Sequence, residues 1–325
     1  MGHLLAKIGS IVRISGGTLL SSPSVDSIED IKISSSKVQR GDLFIDVNSS
    51  SIEVDEAIKN GAYGILASSQ VKISDDEIAW IKVDNIEKST IKLARFFSTQ
   101  KNFRFVPLLK IQYALVKYLH LDKKVELLSS EPTIALLQLL KAQKETLFFV
   151  VENSFIQSID PTLKNTISTI EADKVIENSI FYTSFIYKQR FIKDIRLSSF
   201  FVPYLCYVMD YLDDLNIKFK IENFNNFEHF YPQFVSSSLE KKDFGTSRKV
   251  LIFENDFELF EKELIYLKKR VDENILVSFT CKDEAMNNLS KLEFRYALIH
   301  ADKDDFKELL DKKKITQMEL FNDFD

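Results

Sequence analysis

SSSKVQRGDLFIDVN, residues 34–48, is followed at residue 54 by VDEAIKNGAYGILAS, which runs to residue 68. From Ile31 to Leu66 this region reads as strand (IKISSS), turn (QRGD), strand (LFIDV), helix (VDEAIKNG) and strand (YGILAS), with short elements alternating. Gly61 falls where the helix should end, and its tolerance of positive φ is the physical reason for glycine there. IAWIKVD (78–84) reads as a further strand and NIEKSTIKLARFFS (85–98) as a helix with apolar residues at helical spacing. A first α/β domain over residues 1–98 follows.

The alternation continues with a helix over 108–120, KVELLS as a strand, PTIALLQLLKAQ as a helix with Pro132 in its first turn, and LFFVVE as a buried strand. SIFYTSFIYKQRFIKDIRL (179–197) reads as a β-hairpin turning near Lys188, and SFFVPYLCYVMDYLDDLNI reads as a helix. These elements predict a second domain over 99–245. After Gly245 come strand KVLIFE, helix FELFEKELIYLKKR, strand NILVSF, helix DEAMNNLSKL, strand FRYALIH and helix DDFKELLDKKK. Three strand–helix pairs in succession predict a small parallel, Rossmann-like sheet over 246–314, with residues 315–325 as a tail.

At 325 residues, with 45% hydrophobic and 28% charged residues, the composition is that of a globular protein large enough for two or three cores. A net charge of -5 gives no general reason to expect direct nucleic-acid binding. The longest apolar run, FFVPYLCYVM, is too short to span a bilayer, and the start offers no signal-peptide pattern. A cytoplasmic protein without membrane insertion is expected. Cys206 and Cys281 are isolated from each other and from any neighbouring histidine, which predicts two reduced, mostly buried thiols and no zinc site.

The stretches at 34–48 and 54–68 resemble the N-terminal domain of the Mur ligases, most closely the MurF type that completes the stem peptide of the peptidoglycan precursor. The family pattern there is approximately D-S-R-x-V-x-x-G-D-L-F, then a helix ending E-A-x-x-x-G-A. Ser35, Val38, Gly41, Asp42, Leu43 and Phe44 match it, as do Glu56, Ala57, Gly61 and Ala62. Ser34 and Ser36 stand where the family has Asp and Arg, in a motif that helps seat the uridine nucleotide of the precursor. The resemblance implies a three-domain α/β architecture with a truncated Rossmann-like C-terminal domain. It makes Ser35, Ser36, Lys37, Gly41 and Asp42 the candidate ligand-binding residues.

The resemblance also implies an ATP-binding loop, and the residues present contradict one. A P-loop brings backbone N–H groups together around phosphate along a path that glycine follows and a Cβ obstructs. In VPLLKI, set against the family's G-T-N-G-K-T, Lys110 keeps the lysine position. Val106 and Leu109 replace glycines, and Ile111 replaces the hydroxyl residue that binds Mg²⁺. No glycine lies between Gly64 and Gly245. Lys110 is therefore expected as an exposed helix residue, a relic of the nucleotide site, and no cofactor is expected. Glu152, after strand LFFVVE, sits where a relic of the family's acidic magnesium ligand would fall, although no partner ligands accompany it. His120, His229 and His300 are far apart and read as surface or boundary residues, so no catalytic residue and no metal are assigned.

QMELF, Gln317 to Phe321, resembles the pentapeptide by which bacterial replication and repair proteins dock on the DNA polymerase sliding clamp. Met318, Leu320 and Phe321 would enter an apolar groove while Gln317 makes a directional hydrogen bond. The functional expectation is a catalytically inactive, Mur-ligase-like protein that works through a protein partner, with cell-wall precursor enzymes as candidates. The alternatives are an interaction protein docking on the clamp through QMELF, and a ligase with an atypical nucleotide site.

Overall fold

The computed structural model describes residues 5–68, 73–151, 154–163 and 169–311, which fold as two compact units. One unit comprises residues 1–113 with 121–166, and the other residues 114–120 with 167–325.

The first unit is built on a five-stranded sheet in the order Thr18–Leu19, Ala79–Lys82, Gly64–Ala67, Leu43–Ile45, Ile31–Lys32, with only the Thr18–Leu19 edge antiparallel. Register places Phe44 opposite Ile65 and Ile65 opposite Trp80. Because strand side chains alternate between faces, these three fall on one face and form a core with Val54 and Ala57 of helix Ser51–Lys59. Leu43, Ile45, Leu66 and Ile81 face the other way, onto helices Ile8–Ser15 and Ile86–Lys101. A three-stranded parallel sheet, Val125–Leu127, Leu147–Val151 and Arg104–Leu108, shares that second core. Helix Ile86–Lys101 places Leu93, Ala94 and Phe97 in one apolar cluster with Leu136, Leu139 and Phe148.

In the second unit the expected hairpin is present as Tyr182–Tyr187 and Arg190–Ile195, joined by Lys188 and Gln189 at positive φ. Lys174–Ser179 adds a third antiparallel strand that the sequence pattern did not suggest. Helix Val202–Asp214 follows as anticipated. The last sheet has the order Tyr231–Val235, Lys249–Glu254, Tyr296–His300, Leu276–Phe279. Its three later strands are parallel as expected, and Tyr231–Val235 closes one edge antiparallel.

Two expectations give way to tertiary context. The helix expected over 108–120 spans only Lys110–Val116, because Tyr118 leaves it to accept the Glu222 N–H at 2.9 Å and to pack its ring on Phe224 and Phe227. Of the two cysteines, Cys206 is fully buried, and burial raises its thiol pKa to about 12, but Cys281 is exposed as the residue before helix Lys282–Asn288.

Helix Ser51–Lys59 ends in a Schellman arrangement: the Gly61 N–H reaches the Ile58 carbonyl at 2.9 Å and the Ala62 N–H reaches the Ala57 carbonyl at 3.0 Å. Gly61 has φ +98°, and a Cβ there would meet the Arg40 Cα at 3.1 Å. Gly61→Ala should therefore cost about 1–3 kcal/mol. Gly9→Ala, with nothing within 4 Å of the added carbon, should be neutral or slightly stabilising. Thermal or urea unfolding of the two variants checks the contrast.

Candidate functional site

The strand Arg104–Leu108 turns directly into helix Lys110–Val116, the position at which a phosphate-binding loop would open. The Leu109 N–H is taken by the Gln112 side-chain oxygen at 2.9 Å, and the Leu109 carbonyl accepts the Tyr113 N–H at 2.9 Å. Val106, Leu108, Ile111 and Gln112 are buried, while Lys110 is exposed as expected. Apolar side chains thus fill the core side of the turn, and its leading amide already has an internal acceptor. The turn thus presents the exposed Lys110 beside an amide that Gln112 already occupies.

The N-terminal candidates separate into two groups. Ser35 is buried; its hydroxyl donates to Glu56 at 2.5 Å and its carbonyl accepts the Asn60 side-chain amide at 3.0 Å. Asp42, also buried, accepts the Gln39 N–H at 2.8 Å, and burial holds its carboxyl above the usual range despite that hydrogen bond. Gly41, at φ +100°, donates to the Gly61 carbonyl at 3.2 Å and accepts the Glu29 N–H at 2.8 Å. These three fix the turn. Only Ser36 and Lys37 face solvent, on the 3₁₀ turn Ser35–Lys37 that stands where a longer strand was expected. On the far side of Gly61, an open cavity of about 460 Å³ is lined by Arg40, Lys59, Asn60, Tyr63, Asp75 and Glu77, with the Arg40 Nε donating to the Tyr63 hydroxyl at 3.1 Å.

Glu152 and the docking candidates Gln317, Met318, Leu320 and Phe321 lie outside the described residues. His120 is exposed beside Glu222 at 2.5 Å, and the His300 Nδ1 lies 3.2 Å from the Thr280 carbonyl. His229 departs from the expectation of a surface or boundary residue: it is 8% exposed, and its Nδ1 lies 2.9 Å from a fully buried Glu254 carboxylate oxygen. Glu254 also accepts the Asp256 N–H at 2.8 Å and the Phe230 N–H at 3.2 Å. Burial first, then the charge of Glu254 and a side-chain hydrogen bond to it, drives the pKa of Glu263 well up. Among the described residues, no group of three or more His, Cys, Asp or Glu side chains is arranged to hold a metal ion.

No family model matches the sequence, and no curated protein matches it. Solved structures do. The UDP-N-acetylmuramoylalanyl-D-glutamyl-2,6-diaminopimelate–D-alanyl-D-alanyl ligase of Acinetobacter baumannii aligns over 95% of this chain and 98% of its own, with a TM-score of 0.53 at 9% identity. MurF of Thermotoga maritima, in complex with ADP, aligns over 90% of this chain and 98% of its own, with a TM-score of 0.53 at 12% identity. A crystal structure of MurF from Acinetobacter baumannii aligns over 96% and 93%, with a TM-score of 0.53 at 10% identity.

The fold is Mur-ligase-like.

At 9–12% identity the likeness is one of fold, so what this Mur-ligase-like chain does rests on its own side chains. The buried acid cluster was missed in the sequence although a signal for it exists. Leu259, Phe260, Glu263, Tyr266 and Leu267 form the buried stripe of helix Phe257–Lys268, and Glu263 is the one ionisable carboxyl on that stripe. A group whose folded pKa is raised contributes stability that is present below its unfolded pKa and is lost as pH rises through the folded pKa. Glu263→Gln, which keeps the shape and removes the proton, should therefore flatten the loss of stability with rising pH. Its advantage over the parent should grow from mildly acidic to alkaline pH, as read by melting temperature across that range.

Proposed function

We propose that this chain is a Mur-ligase-like protein that acts by binding rather than by ATP-dependent ligation, in peptidoglycan precursor synthesis, with enzymes that handle cell-wall precursors as its partners. The observation that carries this is the strand-to-helix turn at Leu108–Gln112. Its leading N–H is held by Gln112, and bulky side chains stand where a phosphate-cradling backbone needs glycine. The fold supplies the peptidoglycan context, since the neighbouring A. baumannii structure is a ligase of a muramoyl peptide. Among the described residues no helix is long and apolar enough to cross a membrane.

A ligand specific for the native state and present at 100 times its Kd would add about 2.7 kcal/mol. Millimolar ATP with Mg²⁺ should give no such stabilisation. A Mg²⁺-dependent rise in melting temperature that disappears in Lys110→Ala would overturn the proposal in favour of a ligase with an atypical nucleotide site. Calorimetry with uridine-linked muramoyl peptides tests the retained precursor site separately.

A second reading rests on Gln317–Phe321, whose sequence resembles a clamp-docking peptide. In this reading Leu320 and Phe321 anchor the chain on the sliding clamp. Replacing both with Ala in the full chain should abolish binding to purified clamp, because apolar anchors carry most of such an interface. Absence of binding by the unmodified chain at tens of micromolar protein would eliminate this reading.

A further inference from the structure

An open groove of about 1030 Å³ lies in the second unit, between the hairpin strand Arg190–Ile195 and residues 216–221. Its floor is apolar: Ile192 and Ile195 from one wall, Met209 from helix Val202–Asp214, and Ile217, Phe219 and Ile221 from the other wall. Along 217–221, Ile217, Phe219 and Ile221 are half-buried and Lys218 and Lys220 are exposed, the alternation of a strand with one apolar face.

Among the described residues both walls have unpaired strand edges. Arg190–Ile195 is the outer strand of a three-stranded sheet, and Phe219–Ile221 belongs to a two-stranded one. The hairpin loop is the residue pair Lys188–Gln189, so Tyr187 and Arg190 form its closing hydrogen-bonded pair. Alternation then turns the backbone N–H and C=O groups of Phe191 outward, up to the bulge that follows Ile192, where Asp194 has positive φ.

Four cations and one acid line the groove: Lys188, Arg190, Lys193 and Lys218, with Asp213. Two of the cations are already paired, Lys188 with Asp210 and Arg190 with Asp213, and the Arg190 guanidinium also covers Phe219 at 5.4 Å. Lys193 is 73% exposed with only Asp194, at 3.8 Å, beside it, and Lys218 makes no ion pair among the described residues. One under-used cation therefore stands on each wall. Like charges on Arg190 and Lys193 oppose pairing of this edge with a second copy of itself.

We propose that this groove accepts an extended acidic peptide from a partner protein, added as a strand to Arg190–Ile195 with alternate apolar side chains in the floor and carboxylates against Lys193 and Lys218. This deepens the binding reading by naming the kind of partner. Because the groove is distinct from the Leu108–Gln112 turn, either conclusion can fail without the other.

The test is fluorescence anisotropy of the full chain with a labelled short peptide of alternating glutamate and valine, followed by amide exchange. Saturable binding is expected, with slower exchange at Phe191. Affinity should fall at least about tenfold in the Lys193→Glu, Lys218→Glu variant at unchanged melting temperature. The lysine–valine counterpart should not bind. Equal affinity for the charge-reversed variant overturns the proposal. So does equal binding of oligoglutamate, which would reduce the groove to a charge patch, or of oligothymidylate, which would make it a nucleic-acid surface.

Discussion

Helix Ile86–Lys101 is the wall on which the first unit depends. Its buried residues Leu93, Ala94 and Phe97 belong to a core that reaches Leu43 and Ile81 of the five-stranded sheet and also Leu136 and Phe148 of the three-stranded layer. Its last residue fixes the second layer in place: the Lys101 Nζ donates to the Leu139 carbonyl at 3.0 Å, the Ala142 carbonyl at 2.9 Å, and the Leu140 carbonyl as well. A cation on these carbonyls meets the negative end of helix Pro132–Lys141 and satisfies acceptors that the helix cannot. Burial lowers the lysine pKa, and the carbonyl cluster compensates for lost water. The three-stranded layer and one face of the five-stranded sheet share their core with this helix, while the other face packs on helix Ser51–Lys59.

The second unit is tied together by aromatic packing and one polar clamp. Phe181 meets Phe230, Phe234, Phe244 and Tyr296 edge-on or tilted, so the antiparallel strands and the final parallel sheet share one seam. Arg270, at the end of the helix after strand Lys249–Glu254, holds Glu177 through two nitrogens at 2.8–3.2 Å and lies 4.3 Å from the Tyr266 ring. Ser199 completes the clamp by donating to Glu177 at 2.5 Å and meeting the Tyr266 hydroxyl at 2.9 Å. The Glu177–Arg270 pair is partly exposed, so its role is orientation more than stability.

Where the chain's local chemistry and its tertiary packing agree, the sequence was readable. Strands Gly64–Ala67 and Leu147–Val151, the hairpin at Lys188 and the parallel strands after Gly245 all follow from period, turn residues and apolar runs. Periodicity failed at Tyr118, where aromatic partners more than a hundred residues away end a helix that local sequence would continue. It also failed at Lys174–Ser179, an exposed edge strand whose polar KVIENS carries no alternation. At the candidate sites, the absence of glycine near Lys110 was legible, but the Gln112 oxygen that takes the Leu109 N–H was not. A side-chain acceptor at that distance is one of many that a glutamine can choose.

Glycine scarcity and capping chemistry together restrict how this fold can recognise anything. Anions are commonly bound by free N–H groups at helix starts. Here Ser50, Asn85, Glu131 and Asp256 place side-chain oxygens on the first amides of four helices, and Gln112 does the same at the turn after strand Arg104–Leu108. The chain supplies internally the hydrogen-bond acceptors that a phosphate would otherwise bring. A ligand for those positions would have to displace an intramolecular carboxylate or amide that is covalently present at high effective concentration. At those starts recognition falls to side chains and strand edges, whereas helices Ile8–Ser15, Val202–Asp214 and Lys282–Asn288, which carry no side-chain cap, are not restricted in this way.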